Sequence, residues 1–332
     1  MIKTRRRLLL AGSGALAGCG GSGGGSYSIG PPSPAPAPPP ASAWTEFAPL
    51  ADGPRQEHGV GVANGEIYVV GGFDETRAGV ADVEAYNPAT NAWRRVTPLP
   101  MPLHHPNVAS ARGRVYVVGA LQGANFAATG VTLELDPATS LWTQRASMPA
   151  GTERGASAVA AIGDLIYVAG GYRGAAVNQF SVYNAATNTW QALIAMPTAR
   201  EHLVGAALNG LVFALAGRNA AGLRAEVEIF NPQTGNWSSG RAIPTARGGC
   251  MGGVLNNRIH VFGGEGNAGH VSGVFNQNEA YDPALDTWSV FEPMRTPRHG
   301  AQAAAFNGRL FVPGGATVQG FGAVAISDVF AG

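Results

Sequence analysis

The sequence predicts an all-β chain assembled from six similar units, and three observations predict it. The first is composition. Of 332 residues, 48 are Gly and 23 are Pro, spread along the chain, while charged residues make up 13% and apolar residues 45%. That mixture suits short buried strands joined by tight turns rather than long solvated helices. The second is a tryptophan series. Trp44, Trp93, Trp142, Trp190, Trp237 and Trp288 are the six tryptophans of the chain, and they recur every 47 to 51 residues. The third is a small-residue doublet that closes an apolar run, as in YVVGG, YVAGG and HVFGG. Its second member falls at Gly72, Ala120, Gly171, Gly217, Gly264 and Gly315, in register with the tryptophans.

Taken in order, the chain opens on an address. Lys3, Arg5, Arg6 and Arg7 precede a short apolar run from Leu8 to Gly18. The run is shorter than the roughly 20 residues that a membrane span needs, and it fits an export signal over residues 1–18. Thr4-Arg5-Arg6-Arg7-Leu8-Leu9 is similar to a twin-arginine signal, and a plain Sec signal would look much the same. Leu16-Ala17-Gly18-Cys19 resembles the bacterial lipobox, which makes Cys19 the expected lipidation site. Residues 19–43 are rich in Gly, Ser and Pro and read as a linker between a lipid anchor and a folded domain. Removing Lys3, Arg5, Arg6 and Arg7 with the signal leaves 18 cationic residues against 21 acidic ones, a charge near −3. A nucleic-acid-binding surface is therefore not expected. The two cysteines, Cys19 and Cys250, exclude a disulfide framework.

From residue 44 onward each unit reads the same way. A run such as Glu66–Val70 is short, apolar and bounded by Gly, as a buried strand should be. The doublet frees the backbone to turn and lets a neighbouring strand approach. An aromatic or Leu (Tyr86, Leu135, Tyr183, Phe230, Tyr281) stands seven residues before a Trp, separated by turn segments such as NPATNAW and DPALDTW. The Trp is a large apolar plate that one unit cannot cover alone, so the units need one another.

These three series resemble the kelch repeat, over residues 44–332. The resemblance implies a six-bladed β-propeller with four strands per blade. Departures are small. Ala120 and Ala216 each replace a Gly of the doublet, Leu135 replaces an aromatic, and His260 stands where Tyr68, Tyr116, Tyr167 and Phe213 stand in other units. No Trp follows the last unit, which ends at Gly332, and no strands precede Trp44. The last blade is therefore expected to be closed by the N-terminal strand around Trp44, which leaves no open edge at the seam.

A fourth register lies 13 residues before the strand aromatic. It holds Arg55, Arg154, Arg200, Arg247 and Arg298, with Leu103 in the remaining unit. His58, His104, His105, His202 and His299 lie in the same segments. These segments pass from one blade to the innermost strand of the next, so they share one face around the central channel. A ring of guanidinium groups there could bind an acidic small ligand, a glycan or an acidic face of a protein partner. Alternatively, each Arg ties its blade by bonding backbone carbonyls or strand carboxylates such as Glu84, Glu228 and Glu279. Glu57, Glu153 and Glu201 beside the arginines allow acid/base pairs but read more simply as solvated rim carboxylates. His104-His105 alone is no metal motif, since neighbours on a strand point to opposite faces. Cys250 reads as a buried packing residue. No HExxH, GxSxG or P-loop occurs, and no metal or cofactor is expected. Copper oxidases with kelch-like propellers need a Cys/Tyr/His set that this chain does not supply.

The expectation is thus a binding or interaction module outside the cytoplasm, anchored by lipid at Cys19, in the outer membrane if the host is Gram-negative. The alternative is an enzyme, since the chain is similar in blade count and export to periplasmic sialic-acid mutarotases.

Overall fold

The crowding of six repeats around one axis explains where Gly, Ala and Val fall. The computed structural model describes residues 43–332. The expected export signal, Cys19 and the linker up to residue 42 lie outside the described residues. The innermost strands are Gly59–Ala63, Val108–Ala111, Ala158–Ile162, Val204–Leu208, Met251–Leu255 and Ala304–Phe306. They pack so closely that a Cβ on Gly205 would lie 2.3 Å from the Val159 backbone nitrogen. The second strands are the apolar runs, such as Glu66–Val70, Leu165–Ala169 and Arg258–Phe262, and from their second residue on they are buried. The fourth, outermost strands carry the tryptophans. Among the described residues these elements make six four-stranded antiparallel sheets and one two-stranded hairpin, Arg218–Asn219 with Gly222–Leu223. No helix occurs among them. The architecture is the six-bladed all-β propeller that the repeats imply.

The seam closes as the repeat arithmetic predicts. Trp44–Glu46 pairs antiparallel with Ser327–Phe330, placing Trp44 opposite Phe330, and becomes the outer strand of the last blade. Trp44 is 1% exposed, between Phe330 and Phe262 at ring-centroid distances of 4.9 and 5.5 Å.

The tryptophans join blades by hydrogen bonds as well as by area. The indole N–H of Trp93 donates to Ala48 O, Trp142 to Thr97 O, Trp190 to Ala146 O, Trp237 to Ile194 O, Trp288 to Arg241 O and Trp44 to Glu292 O, at 2.8–3.0 Å. Each acceptor lies four residues after the preceding Trp, so the six bonds run once around the ring. A stacking surface for sugars would need the indole faces free. Here their repeat register serves contact between blades.

Candidate functional site at the channel neck

The chain enters each blade at the same end of the channel, and there two local features recur six times. The residue after each Arg register position bridges to the residue after the Gly doublet of the blade it enters, as in Gln56 with Phe73, Glu201 with Arg218 and Gly248 with Glu265. The next residue then turns into the left-handed region. Glu57, His105, Ala156, His202, Gly249 and Gly300 have φ of 51, 49, 53, 53, 62 and 63°. That region disfavours residues with a Cβ, so something must hold them there. The holding is mutual. The N–H of His105 donates to Glu57 O, Ala156 to His105, His202 to Ala156, Gly249 to His202, Gly300 to Gly249 and Glu57 to Gly300, at 2.5–3.0 Å. Six backbone hydrogen bonds close a ring around the neck of the channel.

Gly at two ring positions leaves room for the side chains of the others. A Cβ on Gly300 would lie 2.4 Å from Glu57 Oε1. Into that space come Glu57, His105 and His202, from the entries to blades 1, 2 and 4. Glu57 Oε2 lies 3.2 Å from His105 Nε2 and 3.8 Å from His202 Nε2. The three ligating atoms lie within 4.8 Å of one another. His299 Nδ1 is 3.8 Å from Glu57 Oε1 and 3.6 Å from Glu265 Oε2. Arg218 pairs with both Glu201, at 2.8 Å, and Glu265. Burial raises the Glu57 carboxyl above its ordinary value against the pull of His202 and His299. Burial opposes charge on Glu201 too, but His202 and Arg218 prevail and hold it down at about 2. The His202 imidazole is held above its usual range by Glu201, despite burial.

The histidine pair His104-His105 departs from the strand rule. The positive φ of His105 breaks the alternation, so both rings fold to one side with their Nδ1 atoms 2.7 Å apart. His104 Nε2 meets Gly123 O at 3.0 Å. His58 is buried against the same cavity, pushed down to about 3 by burial and then by Arg55. The cavity holds about 70 Å³ and is lined by Glu57, His58, His105, His202, Cys250 and Gln302 among others. Burial pushes the Cys250 thiol up, which suits an inert packing residue.

The five arginines are placed differently from a ligand-binding ring. Arg55, Arg154, Arg200, Arg247 and Arg298 are 0–1% exposed. Their guanidinium groups turn into their blades. Arg200 donates to Ala216 O, Glu226 O, Ala214 O and Glu228 Oε2. Arg55 reaches Glu84, Arg247 reaches Glu279 and Arg298 reaches Asp328. Arg154 meets Ser181 Oγ at 2.8 Å, with the carbonyls of Gly170 and Val168. Where Leu103 replaces Arg, the third-strand position holds Leu133, so cation and anion are absent together. Burial among strand carbonyls and carboxylates turns these guanidinium groups into their blades and away from an open face, the arrangement that the blade-tie alternative describes. Glu153 also stays away from the neck and accepts the Gly151 N–H.

Sequence reasoning missed Arg218 and Glu265. Both stand directly after the doublet, a register whose other members are Phe73, Leu121, Tyr172 and Ala316. Reading that register as a set would have singled them out as its two charged members. Phe73 belongs to a rim cluster with His104, Phe126 and Phe321, and Arg77 lies 4.6 Å over the Phe321 ring.

Comparison with known proteins agrees with this architecture. The model of the KLHDC2/KLHL20/DRC7 Kelch-repeats domain matches residues 41–196 and 155–315. Kelch-like protein terF of Aspergillus terreus is 32% identical over 285 residues, 80% of this chain and 62% of that protein. Kelch-like protein 35 of Mus musculus is 29% identical over 54% of this chain and 30% of its own length. The chain thus spans less than two thirds of either relative. The solved structure of YjhT superposes with a TM-score of 0.64 at 18% identity, covering 75% of this chain and 87% of that one, and shows the shared fold.

Proposed function

This chain belongs to the kelch-repeat family, and from that premise we propose that it is a binding module whose channel mouth engages a protein partner outside the cytoplasm, on a lipid anchor at Cys19. The observation that carries the reading is the rim of the mouth. Phe126 and Phe321 are half-buried there beside Phe73, Arg77 covers the Phe321 ring, and Val318 is 48% exposed. Aromatic residues and Arg around a desolvated centre are what protein interfaces select. An acidic ligand finds little support. The five arginines are spent within blades, and Arg218 already meets Glu201 and Glu265. A sugar mutarotase is the alternative, with Glu201 beside Arg218 as its best argument. The cavity weighs against it, since about 70 Å³ is far below the roughly 300–1,000 Å³ of small-molecule sites.

The test is a photo-crosslinking side chain placed at Phe321 in the producing cell. One discrete protein adduct is expected, lost when Arg77→Ala and Phe126→Ser are added. The same group at Leu285, 69% exposed in a turn of the opposite face, should give none. Equal adducts from both faces would sink the proposal. So would mutarotation of an acidic sugar that Glu201→Gln abolishes.

A further inference from the structure

We propose that the neck is a binding site for one divalent transition-metal ion, with zinc the best fit, held by Glu57 Oε2, His105 Nε2 and His202 Nε2. The inference does not depend on the partner reading above.

Proton positions carry the first part of the argument. Gly123 O can only accept, so His104 Nε2 carries hydrogen. With that hydrogen on Nε2, His104 Nδ1 accepts from His105 Nδ1–H, 2.7 Å away. That leaves His105 Nε2 as a lone pair, aimed at a carboxylate oxygen 3.2 Å away. His202 Nδ1 bonds the Glu201 carboxylate, which turns its Nε2 toward the same oxygen. His299 Nε2 donates to Val318 O, and its Nδ1 is fully buried and without a hydrogen-bond partner beside Glu57 and Glu265. Lone pairs that face one another across 3–4 Å call for a proton or a metal ion between them.

Charge carries the second part. Among the described residues at the neck, three carboxylates, Glu57, Glu201 and Glu265, face the Arg218 guanidinium and the His202 imidazole. Buried carboxylates in excess must take up protons or hold a metal ion. Geometry and ligand type favour the metal. Two imidazoles and one carboxylate are a zinc donor set, and bonds of about 2.0–2.1 Å at tetrahedral angles place donors about 3.3 Å apart. The two carboxylate–imidazole spacings, 3.2 and 3.8 Å, are near that value, and all three donors lie within 4.8 Å of one another, so the site closes onto an ion by drawing the imidazoles together. Both imidazoles already have outer partners, His104 and Glu201, that fix the tautomer a metal requires. The three donors stand on a backbone ring that holds them without the ion, and the cavity they line has room for a water as fourth ligand.

The experiment uses the full chain, purified in detergent and stripped with EDTA. Titration with zinc chloride should show one saturable site per chain, with no comparable uptake of magnesium. Cobalt chloride should give the intense visible bands of a four- or five-coordinate site with nitrogen and oxygen donors. Glu57→Gln and His105→Gln should each weaken zinc binding at least about 100-fold. Glu201→Gln, which only positions His202, should weaken it about 10–100-fold. His270→Ala, on an exposed loop, should change nothing. Melting curves without metal establish that each variant is folded. If a variant fails to fold, the wild-type cobalt spectrum decides. A spectrum unchanged from hydrated cobalt, the absence of a one-to-one zinc site, or zinc binding that survives Glu57→Gln in a folded protein would mean that shared protons fill the neck, and would overturn the proposal.

Discussion

Arg200 and Glu228 meet inside a blade at 2.8 Å with both side chains at 4% exposure or less. Arg200→Ala would strand a buried carboxylate, a loss of about 3–5 kcal/mol. Arg154 has Ser181 in place of a carboxylate, and burial pushes its guanidinium down to about 10. Arg154→Ala should therefore cost less than Arg200→Ala in urea melts; a larger loss at Arg154 would contradict the account of the ties. His260 makes a second prediction. It packs against Phe291 and Phe330, and burial holds its pKa below the ordinary value near 6.5. The folded state keeps it neutral while the unfolded chain takes a proton. Its contribution is complete above about pH 6.5 and is lost as pH falls below that, by at most about 1.4 kcal/mol per pH unit. His260→Tyr, the residue used at this register in other blades, should narrow the gap in stability between pH 7.5 and pH 5. An unchanged gap would show that other groups set the acid response. The arginine register and three of its carboxylates were legible in the sequence because both repeat with the blade. The neck was not. Its residues meet only because Glu57, His105 and His202 adopt a positive φ, and nothing in those residue types announces it. Gly249 and Gly300 at the same register were the available hint, since Gly is the usual occupant of that conformation.

At the scale of elements, the seam is where local sequence says least and the repeat arithmetic says most. Trp44–Glu46 has three residues and no strand tendency strong enough to identify it alone. Its place follows from a last unit that lacks a Trp strand. The structure pairs it with Ser327–Phe330 and adds the Trp44 indole bond to Glu292 O. Deleting residues 20–40 should leave the melting temperature nearly unchanged, because the first strand is intact. Deleting residues 20–50 should cost several kcal/mol, about the 3–5 kcal/mol of removing a buried aromatic plus its strand pairing. Equal melting temperatures would contradict the closure. Blade 2 is the element that the repeats describe least well. Its Arg114–Gln122 and Ala127–Asp136 strands run on past the doublet as a long hairpin, with a bulge between Val118 and Ala120. The doublet there ends in Ala120 instead of Gly, and the bulge at Gly119, φ 88°, absorbs the change of direction while the ladder resumes. An Ala-for-Gly departure was visible in the sequence, but whether it lengthens a strand depends on the partner strand, which the repeat pattern does not encode.

At the scale of the whole molecule, export and anchoring come first, as a proposal about residues 1–43. Palmitate label should enter the wild-type chain in a lipoprotein-processing host, and Cys19→Ser should release the protein from the membrane fraction. A wild-type chain without label would end that idea. Within the propeller, two closed circuits of hydrogen bonds join the blades, indole to carbonyl at the rim and amide to carbonyl at the neck. A closed circuit has no free end, so opening one bond disturbs its two neighbours. In blades without such circuits, stability would be a sum of nearest-neighbour terms and the seam would fray first. The amides of Glu57, His105, Ala156, His202, Gly249 and Gly300 lie outside the named strands. We therefore expect their hydrogen exchange to be slow, near the rate set by global unfolding, although loop amides ordinarily exchange through local opening. Gly300→Ala makes the expectation specific. The new Cβ would be held at φ near 63° and would meet Glu57 Oε1, a strain of about 1–3 kcal/mol. If the ring acts as one unit, protection should fall at all six amides together. Loss confined to residues 249, 300 and 57 would mean that the neck is six separate contacts and that its cooperativity belongs to the blades instead.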